Sequence, residues 1–87
     1  MYAIVSNVSV ENPEEARLLL PSAREAIVSR ASGIVHGYWL EPVDGVGTSV
    51  IIFETQADAE TALEYPLPSM PGVTTLDVTI REVFAAV

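Results

Sequence analysis

The chain contains no cysteine, no lysine and a single histidine among its 87 residues. Each absence removes a class of explanation. Without cysteine there is no disulfide framework, no zinc–thiolate site and no thiol nucleophile. One histidine without cysteine supplies too few ligands for a dedicated transition-metal centre, so no resident metal is expected. Basic residues are scarce as well: four arginines stand against twelve acidic residues, for a net charge of −8. Such a surface repels phosphate backbones, which argues against nucleic acid as a partner. It disfavours anionic membranes for the same reason. No apolar run approaches the ~20 residues of a spanning helix, and the opening stretch MYAIVSNVSVENPEE lacks the basic start of a secretory signal. A cytoplasmic protein is the expectation.

Apolar residues, by contrast, are abundant. They make up 49% of the chain, with a mean hydropathy of +0.36. A chain this short forms one domain, 1–87, and buries only roughly 60–65% of the surface its unfolded form exposes. The usual supports for a small core are disulfides, a metal or a partner chain. With the first two excluded, a second copy of the chain is the expected support.

The residue pattern predicts six elements. YAIVSNVSV, residues 2–10, is β-branched and reads as a strand. ENPEEARLLL opens a helix, with Asn12 as N-cap, Pro13 at the first helical position and Glu15 completing a capping box. Ala16, Leu19, Leu20, Ala23, Ile27 and Ala31 recur at helical spacing. Pro21 interrupts that pattern, so a kink or a break with restart is expected there, and Gly33 is the expected stop. Strands over about 34–43 and 47–54 meet at Asp44-Gly45, a strong hairpin signal. Thr55, with Asp58 three residues on, caps a short Ala-rich helix, QADAETALEY, which should lie close to whatever it packs on. PLPSMPG forces a loop, and a last strand runs over about 73–84, with Leu76, Val78, Ile80 and Phe84 on one face and Thr75, Asp77, Thr79 and Arg81 on the other.

The order β-α-β-β-α-β in so short a chain implies an α+β, ferredoxin-like fold: an antiparallel sheet with both helices on one face. Simple alternation through the hairpin places Ile34, His36, Tyr38 and Leu40 with Ser49, Ile51 and Phe53. It places Val35, Trp39 and Glu41 with Thr48, Val50 and Ile52; a bulge at Gly37 would shift this parity. Both faces of the hairpin are then largely apolar, so the face without helices needs a cover. A twin subunit is the simplest one.

This layout, with SGIVHGYWLEP and GTSVIIFETQADAETALE, resembles the dimeric α+β barrel superfamily, in particular its antibiotic biosynthesis monooxygenase-like branch. The matching motif, Phe53-Glu54-Thr55-Gln56-Ala57-Asp58-Ala59, is a signal of fold rather than of catalysis. The resemblance implies a homodimer with two facing sheets and a ligand space between each sheet and its own helices. It implies activities such as cofactor-free oxygenation of aromatic compounds, haem degradation or isomerisation. Haem-degrading members carry an Asn on the first strand, a Trp ending the third and a His after it. Asn7 matches the first, but Phe53 stands where the Trp would be and no His follows, so haem is not expected.

Two functional readings follow. One is a small cofactor-free monooxygenase-like enzyme acting on an aromatic or polyketide-like substrate. Its candidate catalytic residues are His36, the only side chain of a type that titrates near neutrality, and Asn7. The other is a non-catalytic small-ligand-binding or assembly module. Tyr38 and Trp39 are candidates for ligand contact by stacking, or equally for packing, and should point to opposite faces. Arg81 is a candidate for holding an anionic group, or for pairing with Asp77 or a partner chain. Glu41 and Glu54 read as a hairpin rim. A cavity of at least roughly 300 Å³ between helices and sheet, lined by His36 or Asn7, would favour the enzyme.

Overall fold

The computed structural model describes residues 1–64 and 70–87. Six elements follow in the expected order: β1 (Tyr2–Val10), α1 (Pro13–Arg30), β2 (Ile34–Trp39), β3 (Val46–Phe53), α2 (Gln56–Glu64) and β4 (Val73–Glu82). The strands form one antiparallel sheet in the order β2-β3-β1-β4. With both helices accounted for, this is the α+β, ferredoxin-like arrangement. Most of the loop expected from PLPSMPG lies outside the described residues.

Local chemistry accounts for the boundaries. The Asn12 side chain accepts from the Glu15 N–H (3.2 Å) at the start of α1, with Pro13 beside it. At α2 Thr55 caps the helix and its hydroxyl is held in turn by Asp58. The Asp58 N–H donates to Thr55 Oγ1 (3.1 Å), and the Thr55 hydroxyl donates to Asp58 Oδ2 (2.9 Å). Asp44 and Gly45 both take positive φ, 52° and 77°, which a two-residue type I′ hairpin turn requires. Val43 and Val46 exchange both backbone hydrogen bonds across it.

Pro21 departs from expectation in one respect: there is no restart. A single helix runs from Pro13 to Arg30 with Pro21 inside it. The helix ends at Ala31 with extended backbone, and Gly33, at φ +76°, turns the chain into β2.

The core lies between α2 and the central strands. Ile4, Ile51, Phe53 and Ala59 form its centre, flanked by Tyr2, Ile27, Trp39, Val78 and Ile80. Phe53 is 1% exposed and Ala59 is 0% exposed, and burying the phenyl ring alone stabilises the fold by roughly 1.5–3 kcal/mol. The small Ala59 side chain lets α2 approach β1, β3 and β4 directly, as its alanine content led us to expect. The first helix behaves differently. Ala23 is its one buried residue, Leu18 is 81% exposed, and α1 does not close onto the sheet as α2 does.

Two bulges set which side chains face the helices. In β2, Ile34 pairs with Phe53, but His36 pairs with Ile52, so Val35 is the extra residue. This corrects the simple alternation of the hairpin. From residue 36 onward, His36 and Tyr38 lie with Ile52 and Val50 on the face away from the helices, and Trp39 lies with Ser49 and Ile51 beneath them. The bulge is not at Gly37. In β4 a second shift, at Leu76, moves Thr75 to the side of Val8, the helix-facing side. Thr75 therefore does not share the face of Asp77, Thr79 and Arg81, nor Leu76 that of Val78 and Ile80 by simple alternation, and Phe84 lies beyond the strand, which ends at Glu82.

Candidate functional site

The distance that α1 keeps from the sheet leaves a cavity of about 380 Å³, within the range of small-molecule sites. Its floor is the helix-facing side of the sheet: Ile4, Ser6 and Val8 of β1, Ser49 and Ile51 of β3, and Trp39 of β2. Its roof is Ala16, Leu20, Ala23 and Ile27 of α1, and Ala62 and Leu63 of α2 close one side. The wall is mostly aliphatic. Alanine at positions 16 and 23, where a larger residue would fill the gap, is the local reason for the space.

Polar groups enter this cavity at few points. Ser6 and Ser49 are direct partners across β1 and β3, and both line the floor. Ser6 is 6% exposed, the one buried polar residue among those described. Arg17 on α1 forms an ion pair with Glu41 at the end of the hairpin, and both residues border the cavity. Their side chains are exposed, so water screens the pair and its contribution to stability is small.

Trp39 takes its position from a neighbour that has no side chain. A Cβ built on Gly37 would stand 3.2 Å from the Trp39 ring, so the indole folds back over Gly37 along its own strand. Here the glycine makes room for an aromatic ring rather than marking a bulge. The ring borders the cavity on one side and a second, more open cleft between α1 and β2 on the other.

The remaining candidates from the sequence lie elsewhere. Asn7 is on the helix-free face, where it links three strands. The Thr48 hydroxyl donates to Asn7 Oδ1 (2.7 Å), and Asn7 Nδ2 donates to Asp77 Oδ1 (2.8 Å). His36 and Tyr38 sit on the same face of the edge strand β2, with ring centroids 6.2 Å apart, and His36 also borders the open cleft beside α1. Tyr38 and Trp39 do point to opposite faces, and Trp39 is the one beneath the helices. Arg81 lies opposite Ala3 on the helix-free face. The partner of Asp77 is Asn7, and among the described residues Arg81 joins no ion pair. The cavity therefore brings together Trp39, Ser6 and Ser49, while Asn7, His36, Tyr38 and Arg81 are outside its lining. The serines were missed as candidates because an isolated serine in a strand carries no motif.

Among the described residues no helix is long and apolar enough to cross a membrane, and no group of three or more acidic or histidine side chains is placed to hold a metal ion. Comparison with family models, curated proteins and solved structures gave no match to this chain.

Proposed function

We propose that this protein is a small-ligand-binding module, working as a homodimer, that holds one mostly apolar molecule per chain between α1 and the sheet. The observation that carries this reading is the cavity of about 380 Å³ with an aliphatic wall, one indole and a few hydroxyls. An apolar cavity of this size in a marginal domain gives up packing contacts that a larger residue at Ala16 or Ala23 would recover. Occupancy by a ligand restores them.

The oxygenase alternative draws less support. A cofactor-free oxygenation needs a base in reach of the substrate to form the carbanion. The only imidazole, His36, and the amide of Asn7 are outside the cavity lining. The side chains that do reach it are mostly hydroxyl, indole and aliphatic groups with the Met70 thioether, and the charged groups on the lining are the exposed Arg17–Glu41 pair and the exposed Arg30. Binding is the role this set suits.

Support for the dimer comes from the helix-free face. Val5, Val50 and Ile52 form a half-buried aliphatic strip at its centre, and Tyr38 stands beside them, 56% exposed. Among the described residues, both helices lie on the other face and no element covers that strip. A second copy presenting the same strip buries both.

The test has two arms. Ala23→Phe places a ring in the cavity from α1 and should abolish the binding of 2-naphthol, measured by equilibrium dialysis, while the variant stays folded. Ile52→Arg places a charge at the centre of the open face and should weaken self-association at least about thirtyfold in sedimentation equilibrium, as loss of a hot spot does. Unchanged naphthol binding in the first arm would sink the ligand reading. A wild-type chain that sediments as a monomer at every concentration would sink the dimer.

A further inference from the structure

We infer that the ligand is an uncharged, mostly apolar molecule bearing a carbonyl or hydroxyl group, and that Ser6 and Ser49 receive this group while Trp39 lines its apolar body. The inference rests on the binding role proposed above and names the chemistry of its ligand.

Three observations lead to it. Ser6 and Ser49 are directly opposed in the pairing of β1 with β3, so their Cβ atoms lie about 4.5–5.5 Å apart on the cavity side. Beyond Ser49, in the same row, comes Trp39 of β2. The row therefore places two hydroxyls and Trp39 in sequence across the floor, the indole ring reaching back over Gly37 toward Ile51 in the neighbouring row.

The second observation concerns what the hydroxyls do. Among the described residues neither one takes part in a hydrogen bond with another protein group. No fully enclosed side-chain oxygen there lacks a partner, so the hydroxyl of the buried Ser6 opens onto the cavity. A hydroxyl both donates and accepts. Two of them side by side satisfy both lone pairs of one carbonyl oxygen, or the donor and acceptor of one ligand hydroxyl. In the empty protein, water is the natural occupant of that seat.

The third observation is charge. Two arginines line the cavity, Arg17, engaged by Glu41, and the exposed Arg30 in the last turn of α1, while the chain as a whole carries a net charge of −8. A ligand anion seated on the serines would leave water for a mostly aliphatic wall within a strongly negative protein, which is costly. A neutral polar group needs only the hydroxyls.

The experiment compares naphthalene, 2-naphthol and 2-naphthoate by equilibrium dialysis against the wild-type chain and the Ser6→Ala/Ser49→Ala double variant, with thermal unfolding to check that the variant folds. The wild type should bind 2-naphthol about three- to tenfold more tightly than naphthalene, the gain of a neutral hydrogen bond, and should bind 2-naphthoate most weakly. The double variant should keep its affinity for naphthalene and lose the preference for 2-naphthol. Equal affinity of the wild type for naphthalene and 2-naphthol, or a preference that survives in the double variant, overturns the serine seat and leaves the binding role standing. Tightest binding of 2-naphthoate overturns the neutral class. Failure of all three compounds to bind removes the binding role and this inference together.

Discussion

Gly33 lies so close to Asp58 that a Cβ at position 33 would stand 2.1 Å from the Asp58 Oδ2 atom. The turn into β2 and the N-terminus of α2 therefore share one small volume. The same carboxylate caps α2 through Thr55 and accepts a long hydrogen bond from the Ser32 hydroxyl (3.5 Å). Gly33 also carries φ +76°, which disfavours any residue with a Cβ.

Gly33→Ala is accordingly expected to destabilise the fold by two separable routes. The backbone conformation costs about 1–2 kcal/mol, and displacement of Asp58 weakens the α2 cap by about 1 kcal/mol more. In an Asp58→Ala background the second cost is already taken, so Gly33→Ala should cost about 1 kcal/mol less there. Urea denaturation of the four proteins in this cycle measures the difference. Simple additivity would mean that the two residues do not interfere.

Pro21 offers the opposite sign. Inside α1 it lacks the N–H that would bond to the Arg17 carbonyl, and its ring crowds that carbonyl. Proline also stiffens the unfolded chain, which offsets the penalty by about 0.4–1 kcal/mol. Set against a helix-interior penalty of about 3 kcal/mol, Pro21→Ala should therefore raise stability by about 2 kcal/mol, visible as a higher urea midpoint at unchanged slope. A loss of stability would mean that the proline shapes α1 in a way the cavity or the fold requires.

Asn7 reports on the helix-free face. Asn7→Ala leaves the Thr48 hydroxyl and the Asp77 carboxylate without their partner. On a face open to water both are rehydrated, and the cost should stay under about 1 kcal/mol. Under a covering subunit the same groups are cut off from water, and the cost rises to about 1–3 kcal/mol. The dimer reading expects the larger figure, growing with protein concentration because the stability of a dimer is concentration-dependent. Chemical denaturation at two concentrations a hundredfold apart distinguishes the cases.

The capped helices and the hairpin turn were legible in the sequence because each depends on near neighbours, and the sheet topology followed from the order of elements they delimit. Asn12 and Glu15, Thr55 and Asp58, and Asp44 and Gly45 are separated by three residues or fewer, and their chemistry is local. The facing of β2 was not legible. A bulge announces itself when it breaks a polar–apolar alternation, but IVHGYW alternates weakly, and nothing in it marks Val35 as the extra residue. The one-residue shift sends His36 and Tyr38 to one side and Trp39 to the other side from that expected, since side chains in a strand alternate with period two.

The sequence by itself determined the order of elements, their ends and the sign of the surface charge, because propensity, capping and composition act over a few residues. Tertiary structure alone decided which side chains share a space. The gap beneath α1 depends on how the side chains of four strands and two helices fill a volume together, and the meeting of Ser6 with Ser49, 43 residues apart in number, depends on the register of β1 against β3. Packing and register are sums over distant residues, and no short stretch of chain contains them.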